Sequence, residues 1–188
     1  MEHLTELTGN EIAVLLTPSC VTLVTARAAV DDPMADRVAT IAWAFPISHE
    51  PSMLAVSIRP QGSTAKTMRD SGRFIVNVLP ANDECARIAA LCGKKQGVDN
   101  RFAEAGLVTS QGVMVDAPRI EQCISWIECE LVDSRIFGDH ELFIGRTLIA
   151  QTKGTLDENG KLVPASALLM GQRGVFGHFE KGYGRSAQ

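Results

Sequence analysis

The 188 residues contain no C-x-x-C pair, no excess of positive charge and no long apolar run. Lys and Arg total 18 against 22 Asp and Glu, a formal charge of -4. A nucleic-acid or anionic-lipid partner needs a basic stripe, and this balance argues against one. No apolar stretch approaches the roughly 20 residues that cross a bilayer, and Met1-Glu2-His3-Leu4 carries no positively charged leader. A cytoplasmic protein with no membrane or nucleic-acid partner is expected. Cys20, Cys85, Cys92, Cys123 and Cys129 are odd in number, which argues against a disulfide framework or a zinc knuckle. His3, His49, His140 and His178 show no ligand spacing, so no metal site is expected. The 16 glycines never form G-x-G-x-x-G, which argues against a Rossmann dinucleotide turn.

Hydrophobic residues make up 45% of the chain although aromatics contribute only 5%, enough apolar material for a core of one domain. Short runs rich in Val, Ile and Thr predict strands over Cys20 to Ala26, Val38 to Phe45, Met53 to Arg59, Phe74 to Leu79, Ile124 to Val132 and Leu142 to Thr152. Helices are predicted over Ser63 to Ser71, closed by Gly72, and over Asp83 to Cys92, with Asn82 as N-cap and Gly93 as the C′ residue. Cys85, Ile88, Ala89 and Cys92 recur at i, i+3, i+4 and i+7, so the two cysteines read as small hydrophobes on a buried face. Asn100 to Ala105 suggests a further turn, and Asp157-Glu158-Asn159-Gly160 a hairpin turn. The Gly-rich stretch from Gly171 to Gly184 reads as a last strand and tail. Strands outnumber helices without alternating with them, which predicts a mainly β, antiparallel barrel or sandwich with a few covering helices.

Four segments carry candidate chemistry. Arg59 ends a strand and Ser63-Thr64 opens a helix after Pro60-Gln61-Gly62. A cation, two hydroxyls and free helix N–H groups can converge there on an anion of phosphate size, or the segment is an ordinary cap beside a solvated arginine. Ser63-Thr64-Ala65-Lys66 also fits S-x-x-K, but the S-D-N and K-T-G elements of serine acyl-transfer enzymes are absent. Asn77 stands in an apolar strand, where its carboxamide must bond either to backbone or to a polar ligand edge. His140 lies in the polar turn Gly138-Asp139-His140-Glu141 before Leu142-Phe143-Ile144, either an exposed histidine or a strand-end functional group.

In chain order, CVTLVTA, ATIAWAFPISHEPSMLAVSIR, GSTAKTMRDSGRFIVNV, CGKKQGVDNRFAEAGL and GDHELFIG resemble the flavin-reductase-like family of FMN-binding split-barrel proteins. That family includes flavoredoxin and the small reductase components of two-component monooxygenases. The resemblance runs from about Pro18 to Gln151. It implies one Greek-key-like split β-barrel domain over 1–188, with an N-terminal extension of about 1–17 and a C-terminal strand and tail of about 152–188. It assigns Thr40, Ile41, Ala42 and Trp43 to the isoalloxazine, Ser57, Ile58 and Arg59 beside it, Ser63 and Thr64 to the phosphate, and Asn77 to the flavin pocket. Asn100-Arg101-Phe102 resembles the family's Asp-Lys-Phe, with Arg101 as cation and Phe102 as aromatic neighbour, while Lys94 or Lys95 adds charge. Asn100 departs from the usual Asp, which removes the basis for an ion pair there. Gly-Asp-His nominates His140 as the catalytic residue on the nicotinamide or substrate side. The implied activity is NAD(P)H-dependent flavin reduction by a homodimer that passes electrons to an acceptor or oxygenase partner. The alternative is a flavoredoxin-like electron carrier with tightly bound FMN and no direct reaction with NADH or NADPH.

Overall fold

The fold is described from a computed structural model over residues 5–28, 35–94, 100–163, 166–171 and 175–178. A short helix, α1 (Asn10–Val14), precedes β1 (Ser19–Cys20), β2 (Thr22–Arg27), β3 (Asp36–Ile41), β4 (Ala44–His49) and β5 (Ser52–Ile58). Then come α2 (Ser63–Ser71), β6 (Arg73–Val78), α3 (Asp83–Cys92), α4 (Arg101–Ala105), β7 (Thr109–Gln111) and β8 (Pro118–Ile120). The long strands β9 (Ser125–Phe137) and β10 (His140–Thr152) follow, and then β11 (Thr155–Leu156), β12 (Leu162–Val163), β13 (Leu169–Met170) and β14 (Phe176–Gly177).

Seven strands form one antiparallel sheet in the order β3-β2-β6-β9-β10-β5-β4. Its two end strands, β3 and β4, are joined by Ala42 and Trp43 alone, so the sheet must curl until its ends nearly meet. This is the expected mainly β, antiparallel barrel with a few covering helices. It departs from the expected single strand over Val38 to Phe45: the chain stops pairing with β2 at Ile41 and begins pairing with β5 at Ala44. The corner between them faces a cleft.

Alternation along the central strands feeds two cores, because successive side chains leave a strand on opposite faces. Val24, Phe74 and Val76 join Val56, Met68 and Phe143 under α2. Leu23 and Ile75 join Ile88, Ile120 and Trp126 under α3. Both faces of β2 and β6 are therefore covered, which explains their nearly unbroken apolar runs. Gly145 sits at a bulge where a Cβ would lie 2.5 Å from the Phe74 ring, so no larger residue fits there.

The helix boundaries follow the expected caps with one difference. Asn82 Oδ1 accepts from Cys85 N at 2.8 Å, and Gly72 closes α2 at φ 66°. Gly93 instead has φ -84°, and its lack of a side chain serves space: a Cβ would meet Ala89 O at 3.2 Å and Thr40 at 3.6 Å. Asn100 caps α4 by accepting from Ala103 N, a role that needs only the oxygen that Asn shares with Asp. The Asp157 to Gly160 hairpin turn is present between β11 and β12, with Gly160 at φ 72°. Of the expected last strand, Phe176–Gly177 is a strand, while 172–174 and 179–184 lie outside the described residues. No helix among the described residues is long and apolar enough to cross a membrane.

Candidate functional site

A cleft of about 680 Å³ opens where the β3–β4 corner, the end of β5, the start of α2 and the start of β10 converge. Its size suits a small ligand or cofactor. Thr40, Ile41, Ala42, Trp43, Ser57, Ile58, Arg59, Ser63, Thr64, Arg101 and His140 all line it. Local sequence explains the convergence. Strand β5 runs out at Ile58, Arg59 and Pro60 leave the sheet, and Gly62 in extended conformation starts α2 with no side-chain cap.

That helix start is an anion site by construction. Its first intrahelical bond is from Lys66 N to Gly62 O, which leaves the N–H groups of Ser63, Thr64 and Ala65 without helical partners. No acidic residue lies in the first turn to neutralise the dipole. Thr64 is buried, and its Oγ1 has no hydrogen-bond partner among the described residues. Arg101 approaches from α4, donating from Nη1 to Val38 O at 3.2 Å and from Nη2 to Lys94 O at 2.6 Å. Its Nε is also buried and unpartnered among the described residues. Arg59 and Lys94 add two exposed cations, and Lys95 lies outside the described residues. Buried polar groups are satisfied in nearly all native structures, so two cleft-lining residues that each carry an unpaired buried donor mark a place for an acceptor-rich ligand.

The other end of the cleft is a wall of rings. Trp43 and His140 have centroids 5.0 Å apart with planes tilted by 47°. His140 is the first residue of β10, opposite Phe137 across the Gly138-Asp139 turn. Its Nδ1 lies 2.7 Å from Asp139 Oδ1. The hydrogen bond from His140 leads the causes that hold the Asp139 carboxyl below the usual range. Asp139 also lies 3.7 Å from Arg59. An adjoining cavity of about 430 Å³ extends past Trp43 to Leu16, Phe45 and Leu142.

Two assigned residues do not reach the cleft. Asn77 is completely buried in the sheet, where Nδ2 donates to Leu23 O, Thr25 Oγ1 and Ile75 O and Oδ1 accepts from Ile120 N. Its full hydrogen-bonding capacity is used inside the protein, so its assignment to the flavin pocket is corrected to a structural one. Phe102 packs against the core beneath α3, because the turn of α4 that brings Arg101 to the cleft directs the next side chain elsewhere. The Thr40 hydroxyl donates to Ala89 O at 2.6 Å, so its side chain ties β3 to α3.

Sequence reasoning passed over several lining residues. Gln61, Gly62 and Gly93 lie within segments already singled out, whereas Ala13, Val14 and Thr17 belong to α1 and the turn after it, and Met170 and Gly171 come from the end of β13 and the residue after it. A five-residue helix and a two-residue strand carry no periodicity from which to find them. Cys92 also lines the cleft from the end of α3; burial pushes its thiol up to about 11, with Arg101 partly opposing.

The family model described as the flavin reductase like domain matches residues 15–177. An uncharacterised protein of Pyrococcus abyssi is 30% identical over 119 residues, 63% of this chain and 67% of its own length. An uncharacterised Aeropyrum pernix protein is 33% identical over 113 residues, which cover 59% of this chain but only 42% of that relative. Three solved structures share the fold. A flavoredoxin from Methanosarcina acetivorans superposes with TM-score 0.81 at 20% identity, covering 98% of this chain and 96% of its own. Nitrilotriacetate monooxygenase component B from Bacillus cereus gives 0.82 at 15% identity and 98% coverage of both chains. An FMN-binding protein from Thermus thermophilus, with bound 1-cyclohex-2-enone, gives 0.78 at 24% identity and 98% coverage of both.

Proposed function

The chain belongs to the flavin reductase like family, and from that premise we propose that it is an FMN-dependent oxidoreductase that takes hydride from NADH or NADPH. One observation carries the reading: Thr64 and Arg101, each with a buried polar atom that has no partner among the described residues, line the same cleft as the uncapped start of α2. The donor set fits FMN. The phosphate goes to the N–H groups of Ser63 to Ala65, the Thr64 hydroxyl and Arg59, with Arg101 on the same cofactor. Ile41, Ala42 and Trp43 would hold the flat ring, with the backbone of the β3–β4 corner toward its polar edge and Ser57 and Ile58 beside it. When bound, FMN supplies the hydride and electron chemistry. The residues fix the ring, shield one face with the Trp43 side of the cleft and place cationic groups where negative charge develops. His140 stands beside Trp43 as the group closest to a donor or acceptor entering from that side.

The same reading includes a homodimer. Trp43 and Phe45 are about half exposed, and Phe45 shares a sheet face with Ala55 and Ile144 across β4, β5 and β10. A second copy covers such an apolar face most economically. The electrons leave to an acceptor or an oxygenase partner in the cytoplasm, where thiols like the five free cysteines stay reduced.

The test is the visible spectrum of FMN-loaded protein under anaerobic conditions, before and after NADH and then NADPH. Protein-dependent bleaching is expected. Retained FMN that neither donor bleaches would replace this reading with a flavoredoxin-like electron carrier. Failure to retain FMN would overturn the cofactor site itself.

A further inference from the structure

Glu141 follows His140 on β10, and its carboxylate is 3% exposed. Its partner is Arg69 on α2, which donates from Nη1 to Glu141 Oε2. The same guanidinium donates from Nη2 to Pro60 O at 3.0 Å. Pro60 lies between Arg59 and the Gly62 that starts α2, and Gly62 N in turn donates to Arg59 O. One arginine fork therefore holds both the loop that shapes the anion end of the cleft and the strand end that carries His140. A second, exposed link runs in parallel from Arg59 to Asp139 and on to the His140 ring.

Two properties make this link more than an ordinary surface ion pair. The Glu141 carboxylate is buried while Arg69 reaches it from the exposed side of α2, so loss of the arginine leaves a buried charge unpaired, which is strongly unfavourable. The planar fork also bonds two acceptors on different elements in one set geometry, which the rotatable ammonium of a lysine does not impose. We propose that Arg69 and Glu141 are a positioning pair that couples occupancy of the anion end of the cleft to the placement of His140. Anion binding at the start of α2 draws on the Pro60 loop, and the fork transmits that shift to the first residue of β10. The inference rests on the anion site of the proposed function.

The experiment uses the full chain and inorganic phosphate as probe. Ring signals of His140, identified by their loss in His140→Ala, are followed by NMR during phosphate titration, with FMN affinity measured by fluorescence quenching. Arg69→Met with Glu141→Leu is the informative variant, because removing the buried carboxylate together with its partly exposed partner leaves no charge buried and unpaired. In the parent, phosphate is expected to shift the His140 signals. In the double variant it should still bind while the shift disappears, and FMN affinity should fall about tenfold. Arg69→Lys, which keeps the charge and loses the fork, should recover only part of the shift. A folded double variant that keeps the full shift on phosphate binding would overturn the coupling while leaving the anion site intact. A parent that binds neither phosphate nor FMN would overturn the anion site and the coupling with it. Glu141→Gln provides a second variant of nearly unchanged shape: loss of the shift supports the coupling, and a full shift counts against it.

Discussion

Asp139 Oδ1 lies 2.7 Å from Nδ1 of His140, its neighbour in sequence, at the mouth of the cleft. An ionised carboxylate only accepts hydrogen bonds, so Nδ1 carries the proton in this contact and the carboxylate fixes the orientation of the ring. The hydrogen bond from His140 in turn holds the Asp139 carboxyl below the usual carboxylate range. His140→Ala is expected to slow flavin reduction by about a hundredfold or more while FMN affinity changes little, the size of effect that a positioned acid or base contributes at the lower end. Stopped-flow reduction and FMN titration on the same variant check this. Equal reduction rates would remove His140 from the chemistry.

Thr64→Val should have effects of opposite sign with and without ligand. The Thr64 hydroxyl is buried and unpartnered, a cost of about 1–3 kcal/mol that valine removes. The ligand-free variant is thus expected to melt at a higher temperature than the parent. FMN binding should weaken by about ten- to a hundredfold, since a hydrogen bond to a charged group is worth about 1.5–3 kcal/mol. Melting curves with and without FMN test both halves. A lower melting temperature without ligand would show that Thr64 is satisfied internally.

The cleft was legible where local chemistry and chain order agreed. Arg59, Ser63 and Thr64 could be grouped because a strand end and a helix start only a few residues apart bring them close, whether as an anion site or as a cap beside a solvated arginine. Residues such as Asn77 could not be settled from sequence. A carboxamide in a strand faces backbone or ligand depending on which element covers that face, and here β8 covers it through Ile120 N. The corner at Ala42-Trp43 was hidden for a related reason. Val38 to Phe45 is a continuous β-forming run, and what divides it is the change of partner, from β2 up to Ile41 to β5 from Ala44 on. The contributions of α1 and β13 to the cleft depend wholly on long-range packing.

Asn77→Ala is expected to reduce stability without weakening FMN binding in the protein that remains folded. The change removes four hydrogen bonds and leaves Ile120 N and Leu23 O facing a buried void. Buried groups left unsatisfied cost about 1–3 kcal/mol each. Urea unfolding together with FMN titration separates the two quantities. A weaker FMN affinity at unchanged stability would return Asn77 to the cofactor site.

Phe45→Arg should convert a dimer to a monomer. Phe45 is 48% exposed on edge strand β4, and it stands on the same face as Trp43, near the apolar cavity beside the cleft. An unpaired charge at the centre of an apolar interface is strongly unfavourable. Light scattering coupled to size exclusion should report two copies for the parent and one for the variant. A monomeric parent would refute the dimer directly.

Acid sensitivity should centre on Glu128. This completely buried carboxylate accepts from the backbone N–H groups of Val113, Met114 and Val115 at 2.8, 2.6 and 2.9 Å, and from Arg119 Nε at 2.7 Å. Burial pushes its carboxyl up, but the bonds from Val113 and Met114, with those from Arg119 and Val115, outweigh it and hold the carboxyl below the usual range. A carboxyl depressed on folding stabilises fully above its unfolded value of about 4.3, and that contribution is lost as pH falls through the folded value. Glu128→Gln strips the charge from this site and leaves Arg119 nearly buried and unpaired, at an expected cost of about 3–5 kcal/mol at neutral pH. Parent and variant should therefore differ most near pH 7 and converge as pH drops below about 4. Thermal melts by circular dichroism from pH 7 to pH 3 measure the gap. A gap that stays constant over this range would mean that protonation of Glu128 does not drive acid unfolding.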